Sequence, residues 1–431
     1  MPDVRCLAEV RLWEHTVGAI AELDDGRVVF EYSRDFRLTG LQISPVHLPL
    51  SLGAPVEFAE LSRKEAFQGL PGVFADSLPD SFGNLVIRAY YAARGRTEMA
   101  MSPVQRLLYV GSRAIGALTY HPEEKIPTRP TEMESLEIAS LVRDARKIVE
   151  GEPDVAIPEI YRIGAAAGGM RAKAVVLHTP GTRRIRSGYA PPEAGEIPCV
   201  LKFDGVGDAR THAHLQAPAP YNRVEAAYAS MARDCGVDVA DVEVMETEGR
   251  YAHLLIKRFD FAQDGSGIHQ HTLGGLLHID YNDVGASSYE EYLRTALALS
   301  LPPAAIAQAY RRMVFNIVAV NQDDHVKNLS FHMDRGGAWR LTPAYDVTFA
   351  KGVGFTAQHQ MRVADKTAGM TRKDLTGVGA TFDVKGAPAI VDETIEVVSK
   401  WPSYASKTGV PKHTLTHITD ELKKRRSELL A

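Results

Sequence analysis

The feature that most constrains the fold of this 431-residue chain is a pair of polar segments, NQDDHVKN at residues 321–328 and PAYD at residues 343–346. The chain between them predicts a tight hairpin, because apolar runs flank a glycine-containing turn. Its parts are an apolar-rich strand at residues 329–333, a turn at 334–337 and a returning strand at 338–341. Such a hairpin would place Asp346 beside Asn328.

This arrangement is typical of a phosphoryl-transfer site. An acidic residue five positions before an Asn puts a base for a hydroxyl nucleophile, Asp323, and an amide oxygen for Mg²⁺, Asn328, on one loop. Asp346 would complete the metal site with a carboxylate. The order of base, Asn and later Asp is that of protein kinases. Turn chemistry is the alternative for an Asp-Asp pair in a loop, but it does not account for the whole pattern.

The wider strings NxDDHxKNxSF and LTPAYDV resemble the HipA family, the Ser/Thr kinase toxins of bacterial type II toxin–antitoxin modules. The resemblance implies that Asp323 is the catalytic base and that Asn328 and Asp346 bind Mg²⁺. It also implies that His325 takes part in catalysis and in nucleotide binding, and that Tyr345 contacts the nucleotide. Asp324 and Lys327 match the motif as supporting positions.

A glycine-rich stretch at residues 164–169 is similar to the family's phosphate-binding loop. It is not a Walker motif, because Met170 and Arg171 stand where Lys and Ser/Thr are required. Glycines allow backbone N–H groups to approach phosphate, and a nearby lysine can supply counter-charge. The residues expected to contact the nucleotide here are Gly164, Gly168, Gly169 and Lys173.

Lys202 lies in a β-like run at residues 198–203, and a helix predicted over 224–234 carries Glu225. A glycine loop, a strand with Lys and a helix with Glu form the layout of a kinase N-lobe. The resemblance implies that Lys202 contacts the phosphates and takes part in catalysis, with Glu225 as its partner. A surface lysine that extends its amine to solvent is the alternative.

Residues 254–260, LLIKRFD, resemble the family's ERFD hinge, whose backbone hydrogen-bonds adenine, with Lys257 in place of the usual Glu. The resemblance implies that Asp260 contacts the ribose or helps to position the nucleotide. The full set of expected nucleotide-binding residues in this segment is Lys257, Arg258, Phe259 and Asp260. The alternative is an edge strand that ends in a polar turn.

Composition excludes several classes of protein. A net charge of −5 gives no overall attraction to nucleic acid, so DNA contact is expected mainly through a partner. No stretch approaches eighteen uncharged apolar residues, and the start lacks a signal-peptide pattern, so we expect a cytoplasmic protein with no membrane association.

Two histidine pairs, His212/His214 and His269/His271, lack the Cys or HExxH context of zinc sites.

We expect an α+β class with a bilobed protein-kinase-like (HipA-like) fold, in which a β-rich N-lobe with an extra N-terminal subdomain precedes a mainly helical C-lobe. The predicted domains are residues 1–120, 121–260 and 261–431. Residues 5–60 predict β-strands, and residues 121–160 predict an exposed connection with one helix at about 134–149. A buried helix is predicted over 304–320 and a last helix over 411–430, with a basic run at 423–426 that is expected to be solvated.

The HipA resemblance implies ATP and Mg²⁺ as cofactors and a protein hydroxyl as phosphoryl acceptor. The implied target is an aminoacyl-tRNA synthetase, glutamyl-tRNA synthetase first, whose modification would arrest growth. The implied partner is a HipB-like helix-turn-helix antitoxin that binds operator DNA. Two alternatives remain open: a small-molecule or lipid kinase, and a non-enzymatic corepressor of the antitoxin.

Many HipA-like kinases carry a Ser in the glycine loop whose phosphorylation silences the enzyme, whereas this chain has Ala166 there and no Ser, Thr or Tyr from Gly164 through His178. We therefore expect activity to persist during prolonged incubation with MgATP. An Ala166→Ser variant should acquire a phosphate, with about two negative charges, and lose activity over time. Peptide mass spectrometry alongside activity checks this, and self-inactivation of the present sequence would contradict it.

Overall fold

The computed structural model describes residues 3–53, 55–96, 101–126, 135–152, 154–155, 158–164, 171–207, 219–248 and 250–430. The chain forms two compact units. The first consists of Met1–Ile43, Leu48–Asn222 and Val242–His269, and the second of Ser44–His47, Arg223–Asp241 and Gln270–Ala431. The predicted boundary after residue 120 lies inside the first unit, and the boundary after residue 260 lies shortly before the chain leaves that unit.

The first unit contains two five-stranded antiparallel sheets. The first sheet has the order β4-β3-β2-β1-β5, with β1 Val4–Leu12, β2 His15–Leu23, β3 Val28–Tyr32, β4 Val56–Glu57 and β5 Leu118–His121. The second has the order β7-β6-β8-β10-β9, with β6 Lys173–His178, β7 Ile185–Ser187, β8 Ile197–Lys202, β9 Val242–Thr247 and β10 Tyr251–Lys257. The helices are α1 Arg34–Thr39, α2 Gly72–Ala75, α3 Ser81–Ala92, α4 Pro103–Val110, α5 Ile138–Glu150 and α6 Ile160–Ile163.

The first sheet follows directly from sequence alternation. Val28, Phe30 and Tyr32 are buried while Glu31 is exposed, as the period of two in a β-strand requires. The turn between β2 and β3 is closed by Gly26, whose N–H donates to Leu23 O at 3.0 Å. The prediction of β-strands over residues 5–60 is therefore confirmed.

The connection predicted over residues 121–160 is not simply exposed. Its helix, α5, spans Ile138–Glu150 and packs in the core of the first unit together with α3 and strands of the second sheet. Leu141 and Ala145 have no exposed surface. The Glu, Pro and Lys content of the segment suggested exposure, whereas the apolar positions of the helix recur at the i, i+3, i+4 spacing of a buried face.

The second unit is mainly helical. Its helices are α7 Tyr221–Asp234, which begins two residues before the unit, α8 Leu273–Leu277, α9 Tyr289–Ala298, α10 Pro303–Val318, α11 Arg372–Thr381, α12 Ala387–Ser399, α13 Trp401–Lys407 and α14 Lys412–Leu430. Its strands are β11 His269–Thr272, β12 Ser287–Ser288, β13 Ser330–Met333, β14 Trp339–Leu341 and β15 Met361–Arg362. β11, β13 and β14 form one sheet, and β12 pairs with β15 in parallel.

Helix α10 is buried as predicted, with Met313, Val314 and Ile317 fully enclosed. Arg425 of α14 is also buried and donates to Ile317 O at 3.1 Å and to Met370 O at 3.0 Å. The prediction of a solvated basic run therefore needs a correction at this residue, because a buried guanidinium here satisfies carbonyl groups of two other segments. The flanking residues of the run are exposed.

No helix among the described residues is both long enough and apolar enough to cross a membrane.

Candidate active site

The segment NQDDHVKN forms a loop that begins two residues after α10 and ends in a single 3₁₀ turn, Val326–Asn328. The start of this loop is fixed to the helix by two bonds. Asn321 N–H donates to Asn316 O at 2.9 Å, and Asn321 Nδ2 donates to Asn316 Oδ1 at 3.0 Å. Because α10 is buried, these bonds attach the start of the loop to the core of the unit.

Asp323 lies on the accessible side of the loop, with 46% of its side chain exposed. Its Oδ1 is 3.8 Å from His325 Nε2, and its backbone carbonyl accepts from Asn328 Nδ2 at 3.0 Å. The amide nitrogen of Asn328 is thereby used, so Oδ1 is the atom of this side chain that suits a cation. The loop thus presents a carboxylate and an amide oxygen in the order that the sequence predicts.

The hairpin returns Asp346 to this loop. β13 and β14 pair with Phe331 opposite Leu341, and the Tyr345 hydroxyl donates to Lys327 O at 2.7 Å and also contacts Ser330 Oγ. The neighbours of Asn328 and of Asp346 are therefore in contact. Asp346 has a φ of 53°, a left-handed conformation that is uncommon for residues other than glycine and that concentrates at functional sites.

A second attachment lies beyond Asp346. Gln322 N–H donates to Ala350 O at 2.9 Å, Ala350 N–H donates to Val320 O at 3.1 Å, and Asn321 forms a parallel bridge with Ala350. The loop and the segment after the hairpin are held together on both sides of Asp346.

Asp324 points into the protein, opposite to Asp323, and its side chain has no exposed surface. Its Oδ2 accepts from the Tyr289 hydroxyl at 3.0 Å and from His359 Nδ1 at 2.9 Å, and its Oδ1 accepts from Gln360 N at 2.8 Å. Three donors satisfy the buried carboxylate. Burial and the Asp324 carboxylate raise the pKa of Tyr289 far above its usual value, so its hydroxyl stays a donor.

The ring of Tyr281 also packs against the loop. The ring of Tyr281 is 5.4 Å from that of His325, and the ammonium of Lys327 is 5.1 Å from the centre of the Tyr281 ring. Tyr281 therefore packs against two residues of the NQDDHVKN loop.

The donor set fits Mg²⁺. Asn328 and Asp346 offer one amide oxygen and one carboxylate, and Mg²⁺ is usually bound by one or two carboxylates together with waters and substrate phosphates. Within the described residues no group of three His, Cys, Asp or Glu side chains is arranged around a common centre. Asn328 and Asp346 are the residues that would hold the ion.

The predicted phosphate-contacting residues lie in the first unit. Lys202 ends β8 and stands directly opposite Lys173 of β6 in antiparallel register. Both lysines are buried. Directly opposed residues share one face of the sheet, so this face concentrates two positive charges, which suits a polyanion.

The chain around Lys202 is fixed by polar side chains. Asn222 donates to Lys202 O at 3.2 Å and to Ala252 O at 2.9 Å, and so joins β8 to β10. Asp204 accepts from the N–H groups of Gly205 and Ala252 at 2.7 and 2.9 Å. Gly205 has a φ of 72°, and a Cβ there would lie 2.5 Å from the Tyr251 ring, so only glycine fits.

The predicted hinge is not an edge strand. β10 lies between β8 and β9, and Lys257 at its end is exposed. Arg258 N–H donates to Pro198 O at 2.9 Å, so this amide is not available to adenine. The predicted role of Lys257 and of Phe259, whose side chain is partly buried, stays a prediction.

Asp260 is engaged by the protein itself. Its oxygens accept from Arg258 at 2.9 and 2.5 Å, and Oδ2 also accepts from Gly116 N at 2.7 Å. Both side chains of the pair are almost fully buried. The Asp260 carboxylate therefore holds the hinge segment to itself and to Gly116, and the roles suggested by the sequence, contact with the ribose or positioning of the nucleotide, stay predictions.

Several predicted residues lie outside the described part of the chain. They are Gly168 and Gly169 of the glycine loop, together with Ala166, and the pair His212/His214. Gly164 is described and follows the last residue of α6. Glu225 is buried on α7, and its predicted pairing with Lys202 stays a prediction. His269 and His271 are buried and contact Ile43 O and Ser44 Oγ, respectively.

Two family models match the chain. The model of the HipA N-terminal domain matches residues 8–121, and that of the HipA-like C-terminal domain matches residues 165–428, more than half of the chain. The chain belongs to the HipA family. The resemblance suggested by the sequence motifs is thereby confirmed.

Relatives and a solved structure agree with this. The putative kinases Y4mE and Y4dM of Sinorhizobium fredii are 24% and 23% identical to the chain, and the matches cover 92% and 95% of it and 95% and 94% of the relatives. HipA of Shewanella oneidensis MR-1, solved with HipB and operator DNA, is similar in structure with a TM-score of 0.67 at 16% identity, over 98% of this chain and 97% of that one. The predicted HipA-like α+β fold is confirmed.

Sequence reasoning missed several residues that shape this HipA-family site. Tyr289, His359 and Gln360 converge on Asp324 from separate segments, and Asn222 joins two strands beside Lys202. None of them lies within a motif that the sequence singled out. The only sequence signal connected with these residues was Asp324, the acceptor of three of the bonds, which the motif marked as a supporting position.

Removal of Asp260 should destabilise the first unit strongly. An Asp260→Asn substitution leaves the buried Arg258 guanidinium without its carboxylate, which costs about 3–5 kcal/mol of unfolding free energy. The matched control is Asp392→Asn, which breaks the exposed bidentate pair with Arg372 and should cost less than about 1 kcal/mol. Denaturant titration checks both, and equal losses would contradict the structural role of Asp260.

Proposed function

We propose that this HipA-family protein is an ATP- and Mg²⁺-dependent kinase that phosphorylates a Ser or Thr hydroxyl of a protein. The observation that carries the proposal is the arrangement of Asp323, Asn328 and Asp346 on two segments that are bonded to each other on both sides of Asp346. Kinases of this type work mainly by positioning and by charge stabilisation, so a rigid loop with these side chains suits the reaction.

Asp323 accepts the proton of the attacking hydroxyl. Its carboxylate is accessible, and the nearby His325 and the backbone bond from Asn328 restrict its orientation. Asn328 Oδ1 and Asp346 would hold Mg²⁺, which when bound would offset the charge of the phosphates. Tyr345 acts on this site through the hairpin, because its hydroxyl holds Lys327 O.

Lys202 and Lys173 are proposed to contact the phosphates of ATP, and Gly168 and Gly169 of the glycine loop to approach them through backbone N–H groups. The N–H of Gly164 donates to Ile160 O at 2.9 Å, so Gly164 is proposed only as the start of that loop. Support for the lysines is their opposed register on one face of the second sheet. The hinge at residues 257–260 is proposed to contact adenine through its backbone, with the Arg258–Asp260 pair keeping it in place.

The proposed partner is a HipB-like helix-turn-helix antitoxin, through which operator DNA is contacted, in the cytoplasm. Support comes from the fold shared with Shewanella HipA, which was solved with HipB and operator DNA. The chain's net charge of −5 also favours indirect DNA contact. The proposed acceptor is an aminoacyl-tRNA synthetase, glutamyl-tRNA synthetase first, whose phosphorylation would arrest growth.

Substrate identity is tested by incubating the purified protein with MgATP and either individual aminoacyl-tRNA synthetases or small-molecule alcohols, and by phosphoproteomics of expressing cells. The Asp323→Ala variant is the control for both, as purified protein in the assay and as the expressed protein in cells. Phosphate on a protein Ser or Thr that depends on Asp323 supports the proposal. Transfer only to metabolites or lipids would favour the small-molecule kinase, and no Mg²⁺-dependent turnover would favour a corepressor.

Asp323→Asn should preserve folding and nucleotide binding but slow phosphoryl transfer by about two orders of magnitude or more, since an amide does not accept the hydroxyl proton. Single-turnover assays with saturating MgATP measure this, with nucleotide affinity determined in parallel. Near-normal turnover would remove Asp323 from the mechanism.

Asp346→Asn should instead weaken the metal site, because it removes a full negative charge from a Mg²⁺ ligand. Activity should then require roughly tenfold or more Mg²⁺ for half-saturation. A Mg²⁺ titration of both variants checks this, with Asp323→Asn expected to keep the normal midpoint. An unchanged midpoint in Asp346→Asn would contradict the ligand assignment.

A further inference from the structure

We propose that Asp324 and His359 are positioning residues, whose buried hydrogen bond fixes the direction in which the neighbouring Asp323 presents its carboxylate. This inference rests on the proposed kinase function. It adds a residue, His359, that lies outside the kinase-like motifs and far from the loop in sequence.

The geometry of the DD pair is the first step. Asp323 has 46% of its side chain exposed and Asp324 has none, so consecutive side chains point to opposite sides of the loop. Adjacent residues share one peptide group, so a backbone that keeps Asp324 turned inward restricts the backbone angles that turn Asp323 outward. Whatever holds Asp324 therefore also sets the direction of Asp323.

The second step is the strength of that hold. A carboxylate without exposed surface needs donors for its lone pairs, and Asp324 has three at 2.8–3.0 Å. His359 is 3% exposed and Tyr289 fully buried, so water does not compete for these bonds. These bonds therefore oppose rotation of Asp324 away from its buried position.

The third step is the origin of the donors. His359 and Gln360 directly precede β15, and Tyr289 directly follows β12, the strand with which β15 pairs. One short parallel pair thus delivers donors from two distant segments to one carboxylate. The end of β12 is itself fixed, because Ser288 caps α9 in a reciprocal capping box with Glu291.

The fourth step distinguishes the side-chain donors to Asp324 by the segments that they connect to the loop. Tyr289 also accepts from Asn316 Nδ2 at 2.8 Å, and Asn316 binds Asn321 at the start of the loop. Tyr289 therefore belongs to the buried support of α10. His359 and Gln360 come from the segment after Asp346, so their bonds link the base-bearing loop to the chain that carries the magnesium ligand, and of the two donors only that of His359 belongs to a side chain. Loss of the His359 bond should disturb the relative placement of Asp323 and Asp346.

The test compares three variants. His359→Leu removes the donor, His359→Asn retains an amide N–H near the position of Nδ1, and His332→Leu removes another buried histidine of the same unit that hydrogen-bonds Gln270 at 3.1 Å. For His359→Leu we expect kcat to fall about tenfold to a hundredfold, as for a misplaced catalytic group, with nucleotide Kd and KM for ATP within about twofold. His359→Asn should recover most of kcat, and His332→Leu should keep it.

Amide hydrogen exchange gives a readout that does not require turnover. Peptides over residues 319–330 and 346–363 should exchange faster in His359→Leu than in the parent protein, and at the parent rate in His332→Leu. The proposal would be overturned if His359→Leu left either the exchange or kcat unchanged. It would also be overturned if both Leu variants lost kcat in proportion to their loss of stability, measured as the denaturation midpoint. If the parent protein transfers no phosphate, the proposed function fails, while the exchange data still decide whether His359 anchors the loop.

Discussion

Backbone pairing between the loop at residues 321–328 and Ala350 is the constraint on which the site depends. Asp323 and Asp346 carry charges of the same sign, so their carboxylates repel each other. The chain must oppose this repulsion to keep both side chains in one site. The bonds from Gln322 and Ala350, with Tyr345 on Lys327 O, supply that restraint from backbone groups and a phenol. These bonds fix the relative positions of the two segments through the protein's own groups.

Much of this fold was predictable because its signals are local. The hairpin follows from two apolar runs around Asp334–Gly337, and the burial of α10 follows from an apolar run too continuous for a surface helix. The order of acidic and amide residues then indicated the chemistry. The wider strings NxDDHxKNxSF and LTPAYDV indicated the HipA family, which the family models confirm over residues 8–121 and 165–428.

What could not be predicted is non-local. The three donors to Asp324 come from α9 and from the segment before β15, and no spacing rule connects Tyr289 with His359. Composition misled at α5, where charged and polar residues on one face concealed an apolar face. At the hinge, Asp260 had a nucleotide role by resemblance, but its neighbour Arg258 occupies the carboxylate, and pairing of this kind appears only in three dimensions.

Arg425 gives the basic run of α14 a different meaning. The guanidinium reaches carbonyl oxygens of two segments at once, Ile317 at the end of α10 and Met370 before α11. A lysine has one compact donor group and could not match this fork. The last helix therefore holds the end of α10, which leads into the loop at residues 321–328. Of the four positive charges in the basic run, the one on Arg425 is buried and is not accessible to a partner.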